Sequence, residues 1–174
     1  MELREAVSGR PPLQKTGFQV AWDKQELRVL FRVEDDYVWA TLSERDAPLF
    51  NEEVVEIFLD PGGDLAAYYE LEVNPLNAVL DLELKREASG WTKNFQWRCE
   101  GLQTAVQKNA YGWSAEFSIP FTALGVVPGK NLWRANFFRI DRPADAPWEL
   151  SAWSPTGAPS FHVPARFGWL EFVE

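Results

Sequence analysis

The sequence has one cysteine, one histidine and one methionine, and these counts remove most of the metal and redox chemistry a protein can carry. Cys99 alone can form no intramolecular disulfide and no cysteine-based zinc site. With His162 the lone imidazole and Met1 the lone methionine, a two-histidine zinc site, a multi-histidine copper site and bis-axial haem ligation all lack residues. No apolar run approaches the roughly 18 residues a membrane span needs, so no membrane partner is expected. Residues 1–14 are polar, carry Pro11 and Pro12, and lack the apolar stretch of a signal peptide. The expected location is cytoplasmic for the chain as written, and periplasmic or extracellular for a mature fragment. Basic charge is scarce too: 17 Lys and Arg against 26 Asp and Glu leave a net charge of -9. Such a surface repels phosphates, which excludes nucleic acid as a partner. No glycine-rich phosphate loop is present, since Gly62-Gly63 marks only a hairpin. Neither Val7-Ser8-Gly9 nor Ala88-Ser89-Gly90 supplies the strained turn of a serine nucleophile.

What the sequence does have is aromatic residues and a period of two. Nine Trp, twelve Phe and four Tyr among 174 residues suit a β-rich core or an aromatic binding surface. The length fits one domain, residues 1–174, expected as a monomer. Alternating apolar residues predict strands at 27–33, 38–42, 54–59, 68–73, 78–85, 95–99, 102–107, 113–119, 132–140 and 168–173. Turn signals separate them, the strongest being Asp60-Pro61-Gly62-Gly63-Asp64. Pro120 followed by Phe121 to Gly125 predicts one short helical turn. The fold class is therefore all-β: an antiparallel β-sandwich of about ten strands with one short helical turn. Residues 139–167 carry five prolines and little alternation, and read as a long ordered loop of the kind that often carries function.

Alternation puts Val54, Glu56 and Phe58 on one face of their strand and Val55, Ile57 and Leu59 on the other. A carboxylate among such neighbours must find hydrogen-bond partners or meet a ligand. The next strand places Tyr68, Glu70, Glu72 and Asn74 on one face, so a hairpin would bring Glu56 beside Glu70 or Glu72. The plain alternative for Glu70 and Glu72 is a solvated polar face. A third reading makes Glu56 with Glu70 or Glu72 the acid–base pair of a glycoside hydrolase. Trp39, Trp113, Trp133 and Phe137 lie in strand runs and read as core. Phe50, Trp148, Trp153 and Phe161 lie in turn-rich segments, where a large ring either folds under or offers a stacking plate. A sugar suits such a plate, with an apolar face of C–H bonds and hydroxyls around its rim. His162 reads as a loop anchor. The acidic turns at Asp35-Asp36 and Asp60 to Asp64 read as solvated, since neither has an EF-hand pattern.

The run Leu49-Phe50-Asn51-Glu52-Glu53-Val54-Val55-Glu56-Ile57-Phe58-Leu59-Asp60 resembles the signature of family 9 carbohydrate-binding modules, whose sandwich is similar to DOMON-type domains. Further pieces follow in the same order: Tyr69-Glu70 to Asn74-Pro75, Gly112-Trp113-Ser114-Ala115-Glu116, Ile119-Pro120, Trp133 to Arg139, Trp153-Ser154-Pro155, and Phe161-His162 to Phe167-Gly168. The resemblance implies a non-catalytic β-sandwich that binds a mono- or oligosaccharide, often its terminal sugar, in carbohydrate catabolism beside a glycoside hydrolase partner. It implies a sugar clamped between two aromatic rings and held by carboxylate, amide and basic groups. Carried over, the first ring falls at Phe50, where the family has Trp, and the acid at Glu56. The second ring falls at Trp153, with Trp148 as rival. Glu70, Glu72 and Asn74 supply polar positions, and Tyr68 and Arg139 complete the expected ligand-binding set. Family members can also bind calcium, with no ligands placed here. The runner-up reading is a haem- or redox-associated DOMON-like domain.

Overall fold

A computed structural model describes residues 1–126, 132–143 and 145–173; Ala144, inside the proline-rich stretch, lies outside them. Two antiparallel sheets form a sandwich, as the alternation predicted. The smaller sheet has the order β2–β3–β9–β8, with β2 Thr16–Trp22, β3 Glu26–Glu34, β8 Gln103–Asn109 and β9 Gly112–Pro120. The larger has the order β1–β11–β10–β4–β5–β6–β7. Its strands are β1 Arg4–Glu5, β4 Val54–Asp60, β5 Ala67–Val73, β6 Val79–Glu87, β7 Gly90–Asn94, β10 Trp133–Asp141 and β11 Glu149–Ala152. Strand β12, Gly168–Leu170, shares one edge of β10 with β11: β12 pairs Trp133 to Ala135, and β11 pairs Phe138 to Asp141. The helical elements among the described residues are two 3-10 turns, Leu49–Asn51 and Pro164–Arg166. The predicted helical turn after Pro120 is present as successive turns closed by Ala123 N–H to Pro120 O and Leu124 N–H to Phe121 O.

Between the sheets lies the first core. Phe18, Val29, Phe31, Trp113, Phe117 and Ile119 of the small sheet meet Val55, Ile57, Leu59, Leu71, Trp133 and Phe137 of the large one. Each such side chain contributes roughly 1.5–3 kcal/mol on full burial. A second apolar cluster covers the outer face of the large sheet: Val54, Phe58, Tyr68, Leu80, Leu82 and Phe138, capped by Leu49, Phe161 and Phe167 from loops. Strand β4 is therefore buried on both faces, and all seven of its residues are buried. A one-sided sheet would show apolar residues only at alternate positions. The loops that cap the outer face determine which polar groups on it reach solvent.

Two expected strands and one expected loop are corrected. Residues 38–42 form no strand; β3 instead pairs β2 and β9. The backbone N–H groups of Thr41 and Leu42 donate to the Glu52 carboxylate, at 2.7 and 3.0 Å, in place of a strand partner. Residues 95–99 are a turn, with the Cys99 N–H donating to Asp81 Oδ2 at 2.8 Å. Residues 149–152, read as loop, form β11. Its prolines fall outside the paired residues, so they cost the ladder no donor. Gly112 sits at φ 140, where a Cβ would lie 2.0 Å from Val33 O, so only glycine allows β9 to follow its turn.

Candidate functional site

The hairpin β4–β5 sets Glu56 directly opposite Glu72, and Glu70 opposite Phe58. On the far side of β4, Glu56 faces Phe138 of β10. All three carboxylates thus lie on the outer face of the large sheet, as parity predicted. They are covered: relative exposures are 2% for Glu56, 3% for Glu70 and 0% for Glu72. The cover comes from the proline-rich loop. Phe161 stacks on Phe138 with centroids 4.1 Å apart, and the His162 ring lies 5.3 Å from that of Phe58. His162 Nδ1 is 2.8 Å from the Tyr68 hydroxyl and 3.9 Å from Glu70 Oε2, and its Nε2 is 3.0 Å from Lys93 Nζ. Burial, then mutual repulsion, pushes Glu56 and Glu72 well above the ordinary carboxylate range; burial raises Glu70 as well. Burial, then Lys93, pushes His162 down to about 4, so its ring is neutral at pH 7. Asn74 is wholly structural: its Oδ1 accepts from Leu76 and Ala78 N–H, and its Nδ2 donates to Leu42 O.

Arg139 points the other way, between the sheets. Its guanidinium pairs with Asp35 at 3.0 Å and Asp141 at 3.3 Å and donates to Glu34 O. Glu53 joins this group, pushed up to about 9 by burial and then by Asp35. Among the described residues, two groups of carboxylates are close enough to share a cation: Asp35, Glu53 and Asp141, and Glu56, Glu70 and Glu72. The first already encloses the Arg139 charge.

The expected pairing of Phe50 with Trp153 around Glu56 is not formed. Trp153 packs in the first core, its ring edge-on to Phe18 and Phe137 at 5.9 and 5.8 Å, on the face of the large sheet opposite Glu56. Its backbone N–H donates to Phe137 O, which continues the pairing begun by β11 and turns residue 153 inward. Tyr68 is buried at 1% exposure and engaged with His162, so it offers no open ring.

An exposed aromatic surface lies at the end of the large sheet where β4 begins and β10 finishes. Tyr37, Trp39, Arg142, Pro143 and Trp148 line a cavity of about 350 Å³. Trp148 is 59% exposed, and the Arg142 guanidinium lies over its ring. Trp39 Nε1–H donates to Arg142 O at 2.8 Å, and Arg142 Nη2 donates to Phe50 O at 3.0 Å. Burial lowers Arg142 to about 10, partly offset by Glu52, and it stays cationic at neutral pH. Arg142 Nε has no hydrogen-bond partner among the described residues. A plate, a cation and an indole edge thus meet at one opening. Of the expected rings, Trp148, the rival for the second, lines this cavity, while Phe50 meets it through its backbone carbonyl. Tyr37, Trp39 and Arg142 were not expected: the apolar run at 38–42 read as a strand, which assigned Trp39 to the core. A wider concavity of about 560 Å³ on the outer face of the small sheet offers Gln19, Arg28, Gln103 and Glu116 but no Trp or Tyr for stacking.

The family model described as "Carbohydrate family 9 binding domain-like" matches residues 4–174. Among solved structures, a candidate carbohydrate-binding protein from Bacteroides uniformis is 21% identical, with a TM-score of 0.83 over 99% of this chain and 85% of that one. A family 9 carbohydrate-binding module from Caldicellulosiruptor kristjanssonii in complex with glucose is 19% identical, with a TM-score of 0.71 over 98% of this chain and 83% of that one. The same organism's family 9 module in complex with cellotriose is 20% identical, with a TM-score of 0.71 over 97% and 80%. At these identities the structural likeness shows the sandwich fold. No curated protein matches the chain in sequence.

Proposed function

The chain belongs to the carbohydrate family 9 binding domain-like family, and on that premise we propose that it is a non-catalytic module that binds a mono- or oligosaccharide. The observation that carries the reading is Trp148, held exposed against Arg142 in a cavity shared with Trp39 and Tyr37. A pyranose stacks its C–H face on Trp148, and its ring hydroxyls accept from the guanidinium. A cavity of about 350 Å³ is near the small end of the roughly 300–1,000 Å³ range of small-ligand sites, which suits one terminal sugar or a short oligosaccharide. Similar structures that hold glucose and cellotriose support the ligand class. The module would present that saccharide to a glycoside hydrolase partner during carbohydrate catabolism.

Hydrolysis by Glu56 with Glu70 or Glu72 has less support, because a general acid must reach the scissile bond and these groups lie under Phe161 and His162. Haem ligation has less support because both His162 ring nitrogens are already engaged. Calorimetric titration with glucose, xylose, cellobiose and cellotriose tests the proposal. Binding in the micromolar to millimolar range that Trp148→Ala weakens supports it. No heat with any sugar at millimolar concentration overturns it.

A further inference from the structure

We propose that the cavity between Arg134 and Arg166 is a second ligand site, built for a saccharide that carries an oxyanion, either a carboxylate or a phosphate ester. It shares no lining residue with the Trp148 cavity, so the proposal stands whether or not a neutral sugar binds there. The cavity measures about 610 Å³, and its lining includes Ser8, Gly9, Arg134, Ser154, Arg166 and Trp169. Among the described residues no acid lines it, in a chain with 26 Asp and Glu against 17 Lys and Arg. The concavity on the small sheet, by contrast, sets Glu26 and Glu116 beside Arg28.

Strand geometry explains why the two guanidinium groups stand there. Alternation along β10 puts Arg134 on the outer face with Phe138, while Trp133 and Ala135 face the core between the sheets. Pairing of β10 with β12 sets Arg134 directly opposite Trp169, and its guanidinium lies 4.2 Å from the centroid of that ring. A planar cation already held against an indole loses little freedom when a ligand arrives. On its other flank Arg134 faces Asp60 of β4. That carboxylate is engaged by its own turn, where it accepts from Gly63 N–H at 2.8 Å and Leu65 N–H at 3.0 Å. Arg166 ends the 3-10 turn Pro164–Arg166, which the buried ring of Phe167 anchors in the outer cluster.

Neither cation is spoken for. Among the described residues, Arg134 and Arg166 form no ion pair. Arg134 makes one long hydrogen bond, from Nε to Gly63 O at 3.4 Å, and its two terminal nitrogens have no partner among the described residues. On the far wall, the Glu5 carboxylate is occupied by the Val7 and Ser8 N–H groups and the Ser8 hydroxyl. Each guanidinium can donate two parallel N–H bonds to the oxygens of a carboxylate or phosphate, which is the recognition these side chains do best. The size of the cavity says what carries the oxyanion. A bare inorganic ion would leave most of it unfilled, whereas its volume falls within the roughly 300–1,000 Å³ range of small-ligand sites. Its open surface is mostly polar, with Ser8 and Ser154 among the lining residues, so it suits a hydroxylated acid rather than an aliphatic one.

The test is calorimetric titration of the full chain at pH 7.5 and low salt with glucuronate, glucose 6-phosphate, glucose and inorganic phosphate. Glucuronate or glucose 6-phosphate should bind, and added salt should weaken that binding. Binding of either one supports the site, and the stronger of the two identifies the oxyanion that it takes. Trp148→Ala, which strips the ring from the neutral-sugar cavity, should leave the acidic sugar bound. Arg166→Gln, at an exposed position that the fold does not depend on, should weaken it about tenfold. Arg134→Lys, which keeps the charge and loses the fork, should weaken it by a similar factor. Arg32→Gln, which removes an exposed cation from the small sheet, should leave it unchanged. If neither acidic sugar binds the native chain, the proposal is overturned, whatever glucose does. Loss of the acidic sugar in Trp148→Ala but not in Arg166→Gln moves the anion to Arg142 and also overturns it. Inorganic phosphate that binds as tightly as glucose 6-phosphate overturns the saccharide assignment and leaves a site for a simple ion.

Discussion

The ring of Trp153 occupies the space that a side chain at Gly168 would fill: a Cβ on Gly168 would lie 2.4 Å from the edge of that indole. Gly168 opens β12, and Trp153 follows β11, so the contact locks together the two short strands that share an edge of β10. Gly168→Ala should destabilise the protein by about 1–3 kcal/mol, the usual range for overpacking. In a Trp153→Leu background the same change should cost less than about 1 kcal/mol, since the ring that it strikes is gone. A double-mutant cycle in urea measures the difference. Trp153→Leu should leave sugar affinity unchanged.

Trp148→Ala should weaken saccharide binding roughly tenfold, on the order of 1 kcal/mol for a lost stacking contact, and should leave Tm within a degree or two of the native value. The ring is more than half exposed, so the fold loses little with it. Calorimetry and a melting curve on one preparation give both numbers.

Strand alternation made the sandwich, the β4–β5 hairpin and the shared face of Glu56, Glu70 and Glu72 readable from the residues alone. Position along the chain could not say what covers that face. The cover, Phe161 and His162, arrives from a loop nearly a hundred residues away, and only the folded chain shows that the three acids are dry. Residues 38–42 misled for a local reason. Val38-Trp39-Ala40-Thr41-Leu42 has strand composition, but its amides are taken by the Glu52 carboxylate, a side chain no periodicity can reveal. Arg139 sits within an apolar strand, and its inward direction follows from parity, but its partner Asp35 lies in a distant turn. The proline-rich surroundings of Trp153 leave its ring either folded under or offered as a stacking plate, and the resemblance sets it in the clamp; one more backbone hydrogen bond beyond β11 turns it into the core.

Arg139→Met should cost about 3–5 kcal/mol, because it strands Asp35 and Asp141 as uncompensated charges between the sheets. Adding Asp35→Asn and Asp141→Asn should restore part of the loss. Chemical unfolding of the single and triple variants checks this.

Stability should fall as pH rises from about 6.5 to 9. Glu53 titrates near 9 when folded and near 4.5 when unfolded, so its contribution is complete below 4.5 and lost on the way to 9. Glu56, Glu70 and Glu72 are displaced in the same direction. His162 acts oppositely: its contribution is complete above 6.5 and is lost as pH falls toward 4. Each fully displaced group sets a slope of up to about 1.4 kcal/mol per pH unit within its window. Glu53→Gln should flatten the alkaline limb, and His162→Gln should flatten the acidic one, in urea titrations at fixed pH.

The strand order of the large sheet also governs what happens while the chain is being made. Val54–Asp60 gains one neighbour, β5, soon after it leaves the ribosome, but its other edge waits for Trp133–Asp141. Until then it presents an unpaired edge carrying Val54, Val55, Ile57, Phe58 and Leu59, the composition of a cross-β template. Glu56 is the one charge inside that run before Asp60, and it interrupts self-pairing at the stage when the edge is open. Chains released before Trp133 therefore have no folded state to reach, and insoluble material is their expected fate.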